Sequence, residues 1–426
     1  DLVLSSIEYN HRDLSTGEFF ADLGAAHAFT GEFLQAIATN PLLPEQPFES
    51  GLQMGQLDVV IGDLRGTSGS PLAKLVCIGA VLNKGDYPGC SPGSPRVLGS
   101  VEIFDLAGTA ARLSLLPPLD SLPCATGASR FGMGVAIGYV DADTIQDLVV
   151  GAPGSDGEFG RVYVFFGHPS FFTTGGPLLR WTAFKSPALP SDPASNFGFD
   201  VQVVDLNSDG YGEIVVGAPE KGTSGNGKAF IYSGVRVAGL TTQTVHDGST
   251  FLAEQTLLPP ASLLEDDPGL TLTFGWQVFA IGDMAGTEYG NGRPDIAVHS
   301  EFGKWTAPPG PLPDVEKAGA VVVYAAWDPA DGTPPPGKPF VKTPAIKIQS
   351  PLVWEGFVVG PGQIEARLMH VPQSNARFGR AVEPVDWRTT SGAVIRGLLV
   401  GEPDADVHNP SDPAYPDDTP VQDAGR

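Results

Sequence analysis

The feature that most constrains this chain is a long sequence pattern that occurs twice. Phe131 opens FGMGVAIGYVDADTIQDLVVGAP, and Phe197 opens FGFDVQVVDLNSDGYGEIVVGAP. Each copy contains an aromatic-Gly pair, an apolar segment, a short acidic loop, a second apolar segment and Gly-Ala-Pro. Two near-complete copies are improbable by chance, and such repetition is typical of folds that place one supersecondary unit many times along the chain.

Weaker copies of the pattern open at Met54, Phe274 and Phe378. We number the five copies as the first to fifth repeats in chain order. The best two copies continue with two further strand-like segments, which alternate apolar and polar residues and are bounded by Gly and Pro. These segments are GRVYVFFG (160–167), LLRWTAF (178–184), KAFIYSG (228–234) and TFLAEQTLL (250–258). Four strands in each repeat predict an all-β fold, a β-propeller of four-stranded blades with few helices, in preference to a β-sandwich.

We expect a single β-propeller over residues 1–426. Its approximate units are 1–53, 54–130, 131–196, 197–273, 274–377 and 378–426. The first unit lacks its first strand and has its third and fourth strands in 17–23 and 31–44, and the last unit has strands one and two only. Six blades closed by both termini, seven blades with missing parts and a fragment of a longer propeller all fit.

Composition restricts the partners and the cellular compartment. The chain has 49 acidic and 25 basic side chains and a net charge of −24, which disfavours nucleic acid and anionic membranes and favours cations. No apolar run is long enough to insert into a membrane. Cys77 lies in an apolar run and is expected to be a buried thiol, whereas Cys90 and Cys124 lie in loops and either pair or stay free. These features favour an extracellular setting.

The acidic loop of the third repeat carries the clearest chemistry. In DLNSDGYGE (205–213) oxygen-bearing side chains recur at alternate positions, and Gly210 stands where a tight turn needs it. Calcium takes six to eight oxygen ligands, which a short loop of this kind supplies. The spacing also suggests an EF-hand, but that motif needs Glu at its twelfth position, where this chain has Val216, and helices on both sides, where it has strands.

The repeats and this loop together resemble the FG-GAP repeats of integrin α-subunits. The resemblance implies a calcium site formed by the side chains at loop positions one, three, five and nine and by the carbonyl at position seven. On this chain these are Asp205, Asn207, Asp209, Glu213 and the carbonyl of Tyr211. Glu213 departs from the usual Asp but keeps a carboxylate. The alternative is a solvated acidic turn without an ion.

The loop of the second repeat matches the same pattern less completely. It offers Asp141, Asp143, Asp147 and the carbonyl of Ile145, but Tyr139 stands at position one, so a weaker site is expected. The fourth repeat has a longer loop with Asp283, Asn291 and Asp295, for which binding is left open. The first and fifth repeats have Lys74 and Arg396 near the ninth position, and a basic side chain there replaces the charge of an ion, so metal-free loops are expected.

No catalytic constellation is visible. The sequence contains no HExxH motif, nucleophile elbow or P-loop, and each of the seven histidines is interpreted as a surface or loop residue. We therefore predict an extracellular, calcium-binding recognition or adhesion module for a protein or glycan partner. The alternatives are a structural module of a larger surface assembly with neighbouring subunits, and a glycan- or phosphoester-cleaving enzyme on a propeller scaffold. Aromatic clusters at Phe171-Phe172 and Trp305 indicate either ligand binding or packing.

Overall fold

A computed structural model describes most of the chain, and its strands account for most of the regular structure. The described residues are 2–6, 11–12, 19–20, 25–30, 35–36, 54–66, 75–80, 84–85, 96–105, 112–118, 129–171, 180–187, 194–220, 226–263, 273–284, 291–304, 306–307, 315, 317–342, 346–350, 353–360, 363–370, 377–388, 394–402, 407–408 and 420–421. The chain forms two compact units, one of residues 1–218 with 230–254 and one of residues 219–229 with 255–426.

The strands, in chain order, are β1 (Leu2–Ser6), β2 (His11–Arg12), β3 (Phe19–Phe20), β4 (Ala25–Thr30), β5 (Gln35–Ala36), β6 (Met54–Gly62), β7 (Leu75–Ala80), β8 (Lys84–Gly85), β9 (Arg96–Val97), β10 (Ser100–Asp105), β11 (Arg112–Leu115), β12 (Val135–Gly138), β13 (Asp147–Ala152), β14 (Arg161–Phe165), β15 (Trp181–Lys185), β16 (Val201–Val204), β17 (Glu213–Ala218), β18 (Lys228–Tyr232), β19 (Val245–His246), β20 (Gln255–Leu257), β21 (Phe274–Gly282), β22 (Asp295–Ser300), β23 (Ala320–Tyr324), β24 (Ile346–Ile348), β25 (Val353–Gly360), β26 (Gln363–His370), β27 (Val382–Arg388), β28 (Val394–Val400), β29 (Val407–His408) and β30 (Pro420–Val421).

Helices are few and short in the described part of the chain, as predicted. They are α1 (Ser155–Glu158), α2 (Gly234–Ala238) and the 3₁₀ turns Ala261–Leu263 and Pro329–Asp331. None of these helices is long and apolar enough to cross a membrane.

Four sheets share one order, in which consecutive strands of a repeat lie side by side. They are β6-β7-β10-β11, β12-β13-β14-β15, β16-β17-β18-β20 and β21-β22-β23-β24. The second sheet gains a fifth strand, because β19 pairs in parallel with the outer edge of β15. The fold is therefore all-β and built from four-stranded blades of the β-propeller type, as the sequence predicts. The unit boundaries and the number of blades stay predictions.

The second strand of each of these sheets is buried along its whole length. Every residue of β7, β13, β17 and β22 is buried, because each strand has a neighbour on both edges. This explains why these strands carry apolar residues at consecutive positions and do not alternate between apolar and polar residues. Cys77 lies in β7 and is fully buried, which confirms its prediction as a buried thiol, whereas Cys90 and Cys124 lie outside the described residues.

The aromatic residue that opens a repeat packs between neighbouring sheets, since Phe131 lies in one core cluster with Val101 of β10 and Val150 of β13. Phe131 is fully buried, and its ring lies edge-on to Tyr163 at 5.3 Å and Phe165 at 6.2 Å. The Phe197 and Phe230 rings also meet edge to face, with their centroids 5.7 Å apart. Such edge-to-face pairs add to the stabilisation that burial of the rings supplies.

Glycines let the backbone of one repeat lie directly against the next. Gly151, in β13, is so close to Gly198 that an added β-carbon would overlap the carbonyl oxygen of Gly198. Gly160, with φ of +94°, forms a parallel bridge to Phe197. We call this contact between neighbouring repeats the seam. The seam residue is the one that corresponds to Gly151 in each repeat, and in the second repeat it faces Gly198.

The fourth repeat carries a histidine at its seam position. Asp147 and Asp295 each begin the second strand, so His299 in β22 corresponds to Gly151 in β13. His299 is fully buried, which corrects its interpretation as a surface or loop residue. Burial, together with the positive charge of Arg380, lowers the pKa of His299 to about 3. The ring lies against the glycine of the next repeat, because an added β-carbon on Gly379 would stand 3.0 Å from His299 Cδ2.

Two strand predictions are wrong in position. The strand that pairs with β1 is β4, with Leu2 opposite Phe29. The described residues of the predicted segment 17–23 are those of β3, which pairs with β2. The strand predicted over 250–258 begins only at Gln255. Thr250 and Phe251 instead lie in a turn, in which their N–H groups donate to the carbonyl of Asp247. The repeat pattern also does not predict the β25–β26 hairpin.

Phe171 is fully buried, which supports packing and not ligand binding for this aromatic residue. Its neighbour Phe172 and Trp305 lie outside the described residues.

Candidate metal centres

The loop of the third repeat folds so that its oxygen-bearing side chains turn towards its own backbone. The N–H of Gly210 donates to Asp205 Oδ2 at 3.0 Å, and the N–H of Asp209 donates to Asn207 Oδ1 at 2.8 Å. The N–H of Tyr211 donates to Asp209 Oδ1 at 2.8 Å. These bonds are typical of Asp and Asn in tight turns, and they place positions one, three and five on the inner side of the loop.

Glu213 connects this loop to the buried second strand of its sheet. It is the first residue of β17 and is fully buried, and its Oε2 accepts the N–H of Leu206 at 2.8 Å. The amide nitrogen of Asn207 lies 3.0 Å from Asp209 Oδ2 and 3.2 Å from Glu213 Oε1, so it joins positions five and nine. Burial raises the pKa of Glu213 to about 8, and the charges of Asp209 and Asp205 add to the effect.

The donor set of this loop fits a hard cation such as calcium. Among the described residues, no lysine or arginine forms an ion pair with Asp205, Asp209 or Glu213, so their negative charge is balanced only by N–H dipoles. Nowhere in the described ranges do three carboxylate, imidazole or thiolate side chains converge as a ready-made metal cluster. The Asn207 amide stands between the two carboxylates, and a cation would hold them together by taking over that role.

The loop of the second repeat holds its buried carboxylate in a similar way. Asp147 is fully buried at the start of β13, and it accepts the N–H groups of Val140 and Gly167, each at 2.8 Å. Burial raises the pKa of Asp147 to about 7, and the charge of Asp141 contributes. The N–H of Asp143 donates to Asp141 Oδ1 at 3.1 Å, and the N–H of Ile145 donates to Asp143 Oδ1 at 2.7 Å. Positions three, five and nine are thus arranged as in the third repeat.

Two features separate the second-repeat loop from the third. Tyr139 stands at position one with 47% of its surface exposed and supplies no carboxylate. Arg180, which the sequence analysis does not single out, places its Nη1 atom 3.7 Å from Asp141 Oδ2. The sequence places Arg180 within the predicted strand 178–184, whereas in the structure it directly precedes β15, and its proximity to the loop follows only from the sheet order.

Neighbouring loops are hydrogen-bonded to each other within the first compact unit. The carbonyl of Tyr139 accepts the N–H of Gly212, and the carbonyl of Asp63 accepts the N–H of Gln146 at 3.2 Å. In both cases position one of one loop bonds position eight of the next. A second bond joins the same two residues, in which the N–H of Asp63 donates to Gln146 Oε1 at 2.7 Å.

The fourth repeat reproduces the hydrogen bonds of the third despite a longer loop. The N–H of Gly292 donates to Asp283 Oδ2 at 3.1 Å, and the N–H of Arg293 donates to Asn291 Oδ1 at 2.9 Å. Asp295 Oδ2 accepts the N–H of Met284 at 3.0 Å, and burial raises the pKa of Asp295 to about 6. The structure therefore brings Asp283, Asn291 and Asp295 into the roles of positions one, five and nine, while residues 285–290 lie outside the described part.

The loop of the first repeat contains an arginine at position three. Arg65 forms a two-pronged ion pair with Asp105, at 2.7 Å and 3.3 Å. Lys74, the basic residue expected to replace an ion here, lies outside the described residues. Arg396 lies in β28 opposite Asp386, and its side chain is likewise not described. Alignment of Asp63 with Asp205 would have identified Arg65 from the sequence.

Repeated four-stranded antiparallel sheets, with an acidic loop between their first and second strands, define an all-β repeat protein of the propeller class. The model of the FG-GAP repeat matches residues 131–165 and 197–232. Integrin alpha-6 of Gallus gallus is 33% identical over 178 residues, which cover 41% of this chain and 14% of the relative. Integrin alpha-7 of Homo sapiens is 30% identical over 213 residues, covering 49% of this chain and 15% of the relative. Integrin alpha-IIb of Mus musculus is 35% identical over 160 residues, covering 35% and 14%.

The chain thus contains FG-GAP repeats and is similar to integrin alpha subunits, of which it covers about one seventh.

Proposed function

We propose that this chain is an extracellular, calcium-binding β-propeller module that recognises a protein or glycan partner and does not act as an enzyme. The observation that carries the proposal is the third-repeat loop. Its alternate oxygen-bearing side chains surround a fully buried carboxylate, Glu213, that no described basic residue neutralises. A cation with several oxygen ligands resolves the repulsion between these carboxylates.

The three acidic loops are proposed to differ in affinity. The third-repeat loop has carboxylates at positions one, five and nine, and it is the strongest candidate. The second-repeat loop lacks the carboxylate at position one, and the fourth-repeat loop keeps the hydrogen-bond pattern with an insertion. Calcium bound between the first and second strands of a sheet would stiffen the loop and leave the surrounding loops free to recognise a partner.

The proposed partner and location follow from charge and from similarity. A net charge of −24 disfavours nucleic acid and anionic lipid as partners. The relatives named above are integrins, which favours a cell-surface or secreted setting and a protein or glycan partner for this chain. Neighbouring subunits of a larger assembly are the alternative partner, and adhesion is the proposed biological role.

The test is a thermal melt of the metal-stripped protein in EGTA, repeated in millimolar calcium. A ligand at about 100 times its dissociation constant that binds only the folded state adds about 2.7 kcal/mol. We expect a clear rise in Tm that is greatly reduced in Asp205→Ala with Asp209→Ala. The matched control is Asp331→Ala with Glu383→Ala, which removes two exposed carboxylates outside the loops.

An equal calcium response in wild type and in the Asp205→Ala, Asp209→Ala variant would reject the third-repeat loop as a calcium site. No response in wild type would reject calcium binding and leave only the fold. A response to calcium with no response to magnesium would indicate a site of the larger ion, since magnesium demands a tighter octahedral geometry.

A further inference from the structure

Arg180 is held beside the second-repeat loop by its main chain and by its side chain. It lies directly before β15, and its carbonyl accepts the N–H of Phe166 at 2.9 Å. Its guanidinium carbon lies 4.1 Å from the centre of the buried Phe166 ring. A guanidinium over an aromatic face is attracted to it, so the ring defines where this charge stands.

The charge of Arg180 faces a predicted calcium ligand. Asp141 Oδ1 accepts the N–H of Asp143 at 3.1 Å within the turn. The other oxygen, Oδ2, lies 3.7 Å from Arg180 Nη1. A positive charge therefore stands beside the oxygen of Asp141 that the turn does not use, and a divalent cation at that oxygen would be repelled by it.

The third repeat has the opposite arrangement at the same place. Its residue directly before the fourth strand is Glu254, which accepts the N–H of Ser233 at 3.0 Å. The arginine of this repeat, Arg236, lies over the Phe251 ring at 4.8 Å and pairs with Glu254. The two arginines are alike in stacking and in exposure, but only Arg180 faces a loop carboxylate.

We propose that Arg180 is an internal competitor of the cation in the second-repeat loop: it occupies the outward side of Asp141 and sets the affinity of this loop for divalent ions. The proposal rests on the calcium binding proposed above. With 51% of its side chain exposed, Arg180 can swing into solvent, so a sufficiently concentrated divalent cation displaces it. The second-repeat loop then binds its ion only at calcium concentrations that already saturate the third-repeat loop.

The test isolates the second-repeat loop. In a background of Asp205→Ala, Asp209→Ala and Asp283→Ala, calcium binding is measured by isothermal titration calorimetry with and without Arg180→Gln. Loss of a partly exposed ion pair and of the repulsion should raise the calcium affinity by roughly five- to tenfold. Adding Asp143→Ala should abolish the gained binding, which assigns it to this loop.

Arg236→Gln in the same background is the matched control and should leave calcium affinity unchanged. If Arg180→Gln leaves the affinity unchanged or lowers it, or if no binding appears with it, the proposal is overturned and Arg180 serves only to pack on Phe166. This failure is separate from failure of calcium binding as such, because that is judged by the response of wild type and its dependence on Asp205 and Asp209.

Discussion

The second and fourth repeats each form a four-stranded sheet with the same strand order, but they differ in the length of the acidic loop and in the residue at the seam. In both, a buried aspartate begins the second strand and accepts N–H groups from the loop and one N–H from the second residue after the third strand. Asp147 does so with Val140 and Gly167, and Asp295 does so with Met284 and Ala326. The repeats differ in loop length and at the seam.

This comparison shows which motif residues are tied to the sheet itself. In the second and fourth repeats the position-nine carboxylate bridges two connections of its own sheet, although the fourth repeat matches the repeat pattern only weakly. The seam residue faces the glycine of the next repeat, Gly198 or Gly379, and it changes from glycine to histidine. The carboxylate therefore has a structural role beside its proposed role as a ligand.

The largest expected effect tests the seam. In Gly151→Ala the new β-carbon overlaps the backbone of Gly198, and we expect destabilisation by about 2–4 kcal/mol, as for overpacking against a rigid neighbour. The matched control is Gly401→Ala, at the corresponding position of the fifth repeat, where the nearest atom would lie 3.4 Å away. Urea unfolding measures both variants, and an equal loss in both would remove the distinction between these two seams.

The next effect tests the structural role of the position-nine carboxylate. Asp295→Ala leaves the buried N–H of Ala326 and the N–H of Met284 without their acceptor, and we expect a loss of about 2–3 kcal/mol in EGTA. Asp283→Ala removes bonds to more exposed N–H groups and should cost about 1 kcal/mol. If Asp295→Ala destabilises only in calcium and not in EGTA, the carboxylate acts through the ion alone.

The histidine at the fourth seam should make stability depend on pH. The pKa of His299 is about 3 in the folded chain and about 6.5 when unfolded, so the unfolded state binds the extra proton between these values. Stability is complete above pH 6.5 and falls as the pH drops, by about 2 kcal/mol at pH 5. Urea unfolding at pH 5 and pH 7 measures it.

His299→Gln removes this titration, and the loss between pH 7 and pH 5 should be smaller by that amount. Taking the difference between the two proteins cancels the opposite contribution of the carboxyls whose pKa is raised. Equal pH dependence in both would show that His299 accepts a proton in the folded chain.

The smallest effect concerns the loop that lacks a carboxylate at position one. Tyr139→Asp supplies it without removing the carbonyl that bonds Gly212, and we expect calcium affinity to rise about threefold to tenfold. Calorimetry in the background of Asp205→Ala, Asp209→Ala and Asp283→Ala measures it. Tyr139→Asn, which adds an oxygen without charge, should give a smaller gain, and equal gains would mean that charge is not what the loop lacks.

Much of the fold was predictable because its signals are local. The apolar runs of β13 and β17, the Phe-Gly pairs and the turn residues act within a few positions of the chain, so the four-stranded repeats are visible before any contact is known. The strand that follows β1 was misplaced because two short apolar segments, 17–23 and 25–30, satisfy the same pattern. Pairing with β1 selects the second of them.

The sequence by itself determined the repeat, the burial of the second strands and the alternate oxygens of the third-repeat loop, because each depends on spacing along one segment. Only the tertiary structure decided what faces those segments from elsewhere: Arg180 against Asp141, Gly198 against Gly151 and a buried His299 at the fourth seam. The physical reason is that charge and close packing act through space. Residues far apart in the chain acquire these roles when the sheets bring them within a few ångströms of each other.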